Sequence, residues 1–203
     1  MGGFFGVVTK ENCAAPLFYG TDYHSHLGTL RGGMALWDGR EFHRSIHDIS
    51  NSPFRTRFET DYDRFRGLNA RSGIGVISDT DDQPLLFLSH HGTYALVTVG
   101  AIKNIADIVK DILGRHQGQF SAMQSGTVTQ TEVVGTLINT QDTIEDGLRY
   151  VQELIQGSCS ILLLKENDVL YAARDRHGRT PIVVGRGNDC FCAATESCAL
   201  PNL

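Results

Sequence analysis

The sequence predicts an α+β fold in which antiparallel sheets are covered by helices. Three observations carry this expectation. Strand-like apolar runs occupy the first half and the last third of the chain, with helix-periodic segments between them. Polar tips at 89–93 (Ser-His-His-Gly-Thr), 166–168 (Glu-Asn-Asp) and 186–189 (Arg-Gly-Asn-Asp) interrupt paired apolar runs, as hairpins do. Strands and helices do not alternate evenly, which argues against a doubly wound parallel sheet and for an α+β or layered sandwich.

The elements follow in chain order. The run Gly-Phe-Phe-Gly-Val-Val (3–8) reads as a buried strand at the very start of the chain. Residues 14–48 are mixed, with a helix expected around 17–26 and a glycine-rich stretch after it. The segment 49–70 is rich in Arg, Asp, Phe and Ser and reads as a surface excursion, with Arg55, Arg57, Arg64, Arg66 and Arg71 facing solvent or a partner domain. Residues 72–78 form a second strand candidate, and 85–100 a hairpin. Ile102, Ile105, Ile108, Val109 and Ile112 keep helical spacing up to Gly114, a natural stop. Thr129 followed by Glu132 is a capping-box pattern that opens a helix to Asn139. Ile144, Leu148, Val151 and Ile155 share one face of a further helix over 143–156. Two hairpins, 159–175 and 181–196, complete the chain.

Composition narrows the function classes. The chain has 203 residues, 41% hydrophobic and 20% charged, which suits one globular domain. Eighteen Lys and Arg against twenty-three Asp and Glu give a net charge of −5, with none of the basic striping of a nucleic-acid binder. No apolar run is long enough to span a bilayer, and the N-terminus lacks the basic and apolar regions of a secretory signal. The five cysteines, Cys13, Cys159, Cys190, Cys192 and Cys198, then read as reduced thiols in a cytoplasmic protein.

Several segments recur together in one known family. They are Met-Gly-Gly-Phe-Phe-Gly-Val at the N-terminus, a stretch centred on Gly28, 72–80, Gln83-Pro84, Val99-Gly100 with Asn104, 129–133, 173–186 and 194–200. The chain resembles the class II glutamine amidotransferase domain of the amidophosphoribosyltransferase family over essentially its whole length. The most specific matches are Arg174, Asp175, Gly178, Pro181, Gly185, Glu196, Ser197 and Ala199. The resemblance implies an N-terminal nucleophile hydrolase fold, a four-layer αββα sandwich of antiparallel sheets. It implies a role in purine biosynthesis, no cofactor, and one domain over 1–203. In that family a phosphoribosyltransferase domain begins just beyond, so a phosphoribosyltransferase domain or subunit is the expected partner, within a homo-oligomer. No nucleic acid and no membrane are expected.

In such a domain an N-terminal cysteine attacks the glutamine amide, with its own α-amine as base. An Asn-Gly pair supplies the oxyanion donors, and an Arg and an Asp fix the glutamine carboxylate and amine. Carried over position by position, none of these chemical groups remains. Gly2 stands at the nucleophile, Ser78 at the carboxylate-binding Arg, Val99-Gly100 at the Asn-Gly, and Gln130 at the amine-binding Asp. The family's His-Arg-Gly reads His26, Leu27, Gly28. The expectation is a domain without glutaminase activity, its substrate pocket reduced to His26, Gly28, Ser78 and Gln130, and its role structural or regulatory. The alternatives are an active amidotransferase with a rearranged nucleophile, or a module holding another small ligand in the altered pocket.

Other constellations have plainer readings. His43 and His47 would share a face on a helix, a spacing that suits a metal, but no third ligand is evident and no metal is expected. His24 and His26 are expected near the altered pocket, and His90-His91 exposed at a hairpin tip; His116 belongs to no motif. Cys190 and Cys192 fall on one face of a strand as unpaired thiols. Arg174 and Asp175 are expected to pair at a strand end, with Gly178 permitting the turn.

Overall fold

A computed structural model describes residues 2–115, 119–121, 123–124 and 127–200; His116 lies outside them. The chain opens with β1 (Gly2–Thr9) and α1 (Ala14–Asp22), then β2 (Arg31–Trp37), β3 (Phe42–Asp48) and α2 (Phe54–Arg66). Next come β4 (Ser72–Ser78), β5 (Leu85–Ser89), β6 (Gly92–Ile102) and α3 (Ile105–Gly114). The short β7 (Met123–Gln124) and β8 (Thr127–Val128) precede α4 (Gln130–Ile138) and α5 (Ile144–Leu154). The hairpins β9 (Gly157–Lys165) with β10 (Val169–Ala173) and β11 (Val183–Arg186) with β12 (Cys190–Ala194) close the chain.

The strands build two antiparallel sheets, one ordered β11-β12-β1-β4-β2-β3 and the other β10-β9-β6-β5. Alternation along β1 explains how they stack. Phe4 enters the core between the sheets beside Ile74, Val97 and Leu162. Phe5 points the other way, onto Leu17 and Phe18 of α1 and Phe54 and Phe58 of α2. Along β6 and β9, Tyr94, Leu96, Ile161 and Leu163 meet α3, α4 and α5 in a third core. Three cores between four layers make the αββα sandwich that the resemblance implied.

Close approach of α1 to its sheet depends on glycine. A Cβ on Gly75 of β4 would lie 1.9 Å from the Thr21 hydroxyl, and one on Gly20 would lie 2.5 Å from the Phe5 ring. The helix therefore sits nearer the strands than any side chain would allow.

The N-caps of α4 and α5 are side-chain caps: Thr129 accepts from the Glu132 N–H and Thr143 from the Asp146 N–H. The capping box at Thr129 is only half formed, because the Glu132 carboxylate turns to the N–H and hydroxyl of Ser121. At the tip of β9–β10, Asn167 and Asp168 take φ of 74° and 61°, the left-handed pair of a tight hairpin turn.

Three expectations are corrected. Residues 49–70 are not a surface excursion: 54–66 form α2, whose Phe54, Phe58 and Phe65 are fully buried while its arginines face outward. The helix expected at 17–26 runs instead over Ala14–Asp22, with a single 3-10 turn at Ser25–Leu27. The glycine-rich stretch, to which no element was assigned, holds β2, the first strand of the hairpin β2–β3. His91 is buried rather than exposed, its ring centroid 3.8 Å from that of His90.

Replacing Gly75 with Ala is expected to lower stability by about 1–3 kcal/mol by overpacking α1. The check is the urea midpoint, followed by circular dichroism.

Candidate functional site

Four of the residues singled out by the sequence meet where the ends of β1, β4 and β6 come together. β1 pairs with β4 so that Gly2 stands opposite Ser78. β6 brings Thr98, Val99 and Gly100 against this end of the six-stranded sheet. Gly2, Ser78, Val99 and Gly100 thereby line one cavity, together with Ile77, Thr80 and Thr98. Its volume is about 20 Å³, roughly the space of a single water molecule.

The backbone around it is closed against larger side chains. A Cβ on Gly2 would lie 2.4 Å from the Ile77 carbonyl oxygen. Gly100 has φ of 148°, and a Cβ there would lie 2.1 Å from the Ser158 carbonyl oxygen. The first contact is made by atoms of a sheet neighbour, so only movement of β1 against β4 would relieve it.

Polar side chains beneath the cavity satisfy one another. Ser78 is 4% exposed and its hydroxyl accepts from the N–H groups of Thr80 and Asp81, at 3.1 and 3.2 Å, fixing the turn after β4. The Gln83 amide pairs with the Thr98 backbone, accepting from its N–H at 2.7 Å and donating to its carbonyl at 3.1 Å. Gln130 accepts from the Ile102 N–H at 3.0 Å and donates to the Thr98 hydroxyl at 3.5 Å. The Thr131 hydroxyl donates to Asp81 at 3.0 Å, so the Thr98 hydroxyl, 2.7 Å from Thr131, must donate to it. Donors thus run one way, from Gln130 through Thr98 and Thr131 to the Asp81 carboxylate. The Thr131 N–H also donates to that carboxylate. Gln83, Thr98, Thr131 and Asp81 were not among the sequence candidates. Gln83 and Thr131 lay within segments that carry the resemblance, Thr98 was a polar residue within an apolar strand, and Asp81, in the loop after β4, had no signal.

The remaining candidates stand apart. His26 is exposed on the 3-10 turn, its Nε2 3.0 Å from Glu196, and lines no part of the cavity. Gly28 packs beside Ile77 and Asp79. Burial opposes ionisation of Asp79, yet N–H donors from Thr29 and Leu30 help hold its carboxyl below the usual value. His24 is fully buried, and that burial lowers its pKa; its Nδ1–H donates to the Gly20 carbonyl at 2.7 Å.

His43 and His47 lie on a strand, not a helix, so four residues separate them by roughly 13 Å. Each has its own carboxylate, Asp38 and Asp61. No group of three potential metal ligands occurs among the described residues. Asp175 is not paired with Arg174: its carboxylate accepts the N–H groups of His177 and Thr180, at 2.9 and 2.8 Å.

A family described as "Glutamine amidotransferase domain" matches residues 69–202. An amidophosphoribosyltransferase of Methanocaldococcus jannaschii is 28% identical, covering 100% of this chain and 44% of that protein. One from Bacillus subtilis is 24% identical, covering 97% of this chain and 41% of that protein. The chain thus spans less than half the length of these relatives. Among solved structures, the glutamine phosphoribosylpyrophosphate amidotransferase of B. subtilis complexed with ADP and GMP superposes with a TM-score of 0.80 at 23% identity. That match covers 97% of this chain and 42% of the other. A second, described as the allosteric regulatory enzyme of purine biosynthesis, gives 0.81 at 23% identity, with the same coverage. At this identity the superpositions establish the shared fold. No helix among the described residues is long and apolar enough to cross a membrane.

Replacing Gln83 with Leu strands the buried N–H and carbonyl of Thr98, and should cost about 2–4 kcal/mol in a denaturant titration. Acid stability has a separate source. The Glu41 N–H first, then His43 and the Arg40 N–H, depress the Asp38 carboxyl to about 2. Its contribution is therefore complete above the unfolded value of 3.8 and is lost as pH falls towards about 2. Asp38→Asn should flatten the melting temperature over that window relative to the unaltered chain.

Proposed function

The chain belongs to the glutamine amidotransferase domain family, and from that premise we propose that it serves as a glutamine-domain framework without glutaminase activity. The observation that carries this reading is the fit around Gly2. The family's chemistry needs a nucleophilic side chain at this position, and here a Cβ alone would meet the Ile77 carbonyl oxygen at 2.4 Å. The other positions point the same way. Val99 offers no oxyanion donor, Ser78 is engaged with its own turn, and Gln130 is engaged with Ile102 and Thr98. A cavity of about 20 Å³ is far smaller than a usual small-molecule site.

A rearranged cysteine nucleophile finds little support. None of the five cysteines lines the cavity. Burial pushes the Cys13 and Cys192 thiols up to about 12 and raises that of Cys159 further, which disfavours the thiolate. Cys198 is exposed but lies near Glu196, and burial together with that carboxylate raises its thiol too.

The role left to such a domain is to pack on a phosphoribosyltransferase domain or subunit, within a cytoplasmic homo-oligomer serving purine biosynthesis. The relatives' length supports this partner: in them the matched region is less than half of the protein.

The purified chain is expected to release no ammonia from glutamine above the blank. Gly2→Cys is expected to stay silent as well, because the thiol cannot be seated without displacing β4. Turnover that disappears on replacing one cysteine would overturn the proposal.

A further inference from the structure

We propose that the cleft where Arg149 and Gln152 of α5 face Arg174 and Arg176, beyond the end of β10, binds a small hydroxyl-bearing phosphate ester. The cleft measures about 710 Å³ and shares no residue with the cavity at Gly2. That volume is within the usual range for small-molecule sites. The inference is independent of the reading of the glutaminase positions.

The cleft has a fixed wall on each side. Asp175, 3% exposed, binds the N–H groups of His177 and Thr180, and its own N–H donates to Ser160 at 3.2 Å. Gly178 closes the turn with φ of 66°. With Asp175 anchored inward, its neighbours Arg174 and Arg176 are exposed and line the cleft. No carboxylate pairs with either among the described residues. Arg149, one face of α5 away, pairs with Asp146 through a single nitrogen at 2.8 Å, which leaves other donors of its guanidinium available. Three guanidinium groups around one opening suit a dianionic phosphoryl group.

Gln152 identifies the rest of the ligand. Its Nε2 donates to the Cys159 carbonyl at 2.7 Å, which fixes the orientation of the amide. Its Oε1 is buried and has no hydrogen-bond partner among the described residues, so a ligand donor in the cleft reaches it only when the side chains covering it shift. A phosphate oxygen cannot fill that role, since it too is an acceptor; a hydroxyl or amine can. Glu153 also lines the cleft. It repels a ligand that is anionic throughout and accepts readily from a hydroxyl. The ligand is thus charged at one end and carries donors at the other.

The test is isothermal titration of the whole chain with glucose 6-phosphate, glycerol 3-phosphate and AMP, with inorganic phosphate and glucose alongside. At least one ester should bind ten times more tightly than inorganic phosphate, and glucose should not bind. Arg174→Ala with Arg176→Ala should weaken that ester at least tenfold. Gln152→Met should weaken the ester and leave inorganic phosphate unchanged, whereas Arg115→Ala, remote from the cleft, should change nothing. The proposal fails if no ester binds at millimolar concentration, if inorganic phosphate binds as well as the esters, or if the double arginine variant binds unchanged. Circular dichroism melts confirm that each variant is folded.

Discussion

The structure depends on the burial of β1 between β12 and β4. Its register joins Phe5 to Ala194 on one side and to Gly75 on the other, so the first and last strands of the fold are neighbours. Its two phenylalanines then face opposite cores, Phe4 between the sheets and Phe5 beneath the helices. One strand therefore binds three of the four layers together. Loop-closure entropy makes such a pairing costly to form until both ends of the chain are present.

The same pairing determines the geometry of the candidate site. Position 2 is the end of β1 and is held opposite Ser78 by ladder hydrogen bonds, so its surroundings are backbone rather than adaptable side chains. A side chain at this point needs room designed into the register itself. The buried polar groups behind it reinforce the closure. Gln83, Thr98, Thr131 and Asp81 are each satisfied within the domain, and a ligand would have to break those bonds in a region of low dielectric. The small size of the cavity follows from the close approach of β1, β4 and β6.

Legibility in the sequence followed physical regularity. The hairpins at 85–102, 157–173 and 183–194 combine apolar runs with polar tips, and both signals survive in the fold. Helices α3, α4 and α5 were legible because each has an apolar stripe and a recognisable stop or cap. The hairpin β2–β3 was not, because its alternation is broken by Gly32 and Gly33 and by histidines that find carboxylates only in three dimensions. Helix α2 was missed for a related reason. Three buried phenylalanines hold it to the core while the rest of its surface is charged, so composition outweighed period. Of the candidate residues, Gly2, Ser78, Val99 and Gly100 line one cavity, and only the resemblance had brought them together. Nothing in their spacing brings together positions on three different strands.

The loop after β10 clarifies what the family framework retains. Asp175 and Gly178 match the family pattern, and both serve backbone geometry: one caps N–H groups, the other supplies a left-handed turn. On the proposed reading, the replaced positions are those to which the resemblance assigns a role toward a substrate. Framework residues act through bonds that exist in the resting fold, so their loss costs stability immediately. Substrate-facing residues cost the folded state nothing when replaced, provided the space they leave is filled and their polar neighbours find partners. Around Gly2 the space is narrow, and the polar side chains behind it are joined in a chain of donors ending at Asp81. On the proposed reading, a sandwich of this kind parts with its chemistry at one end of the sheets while keeping every layer in place.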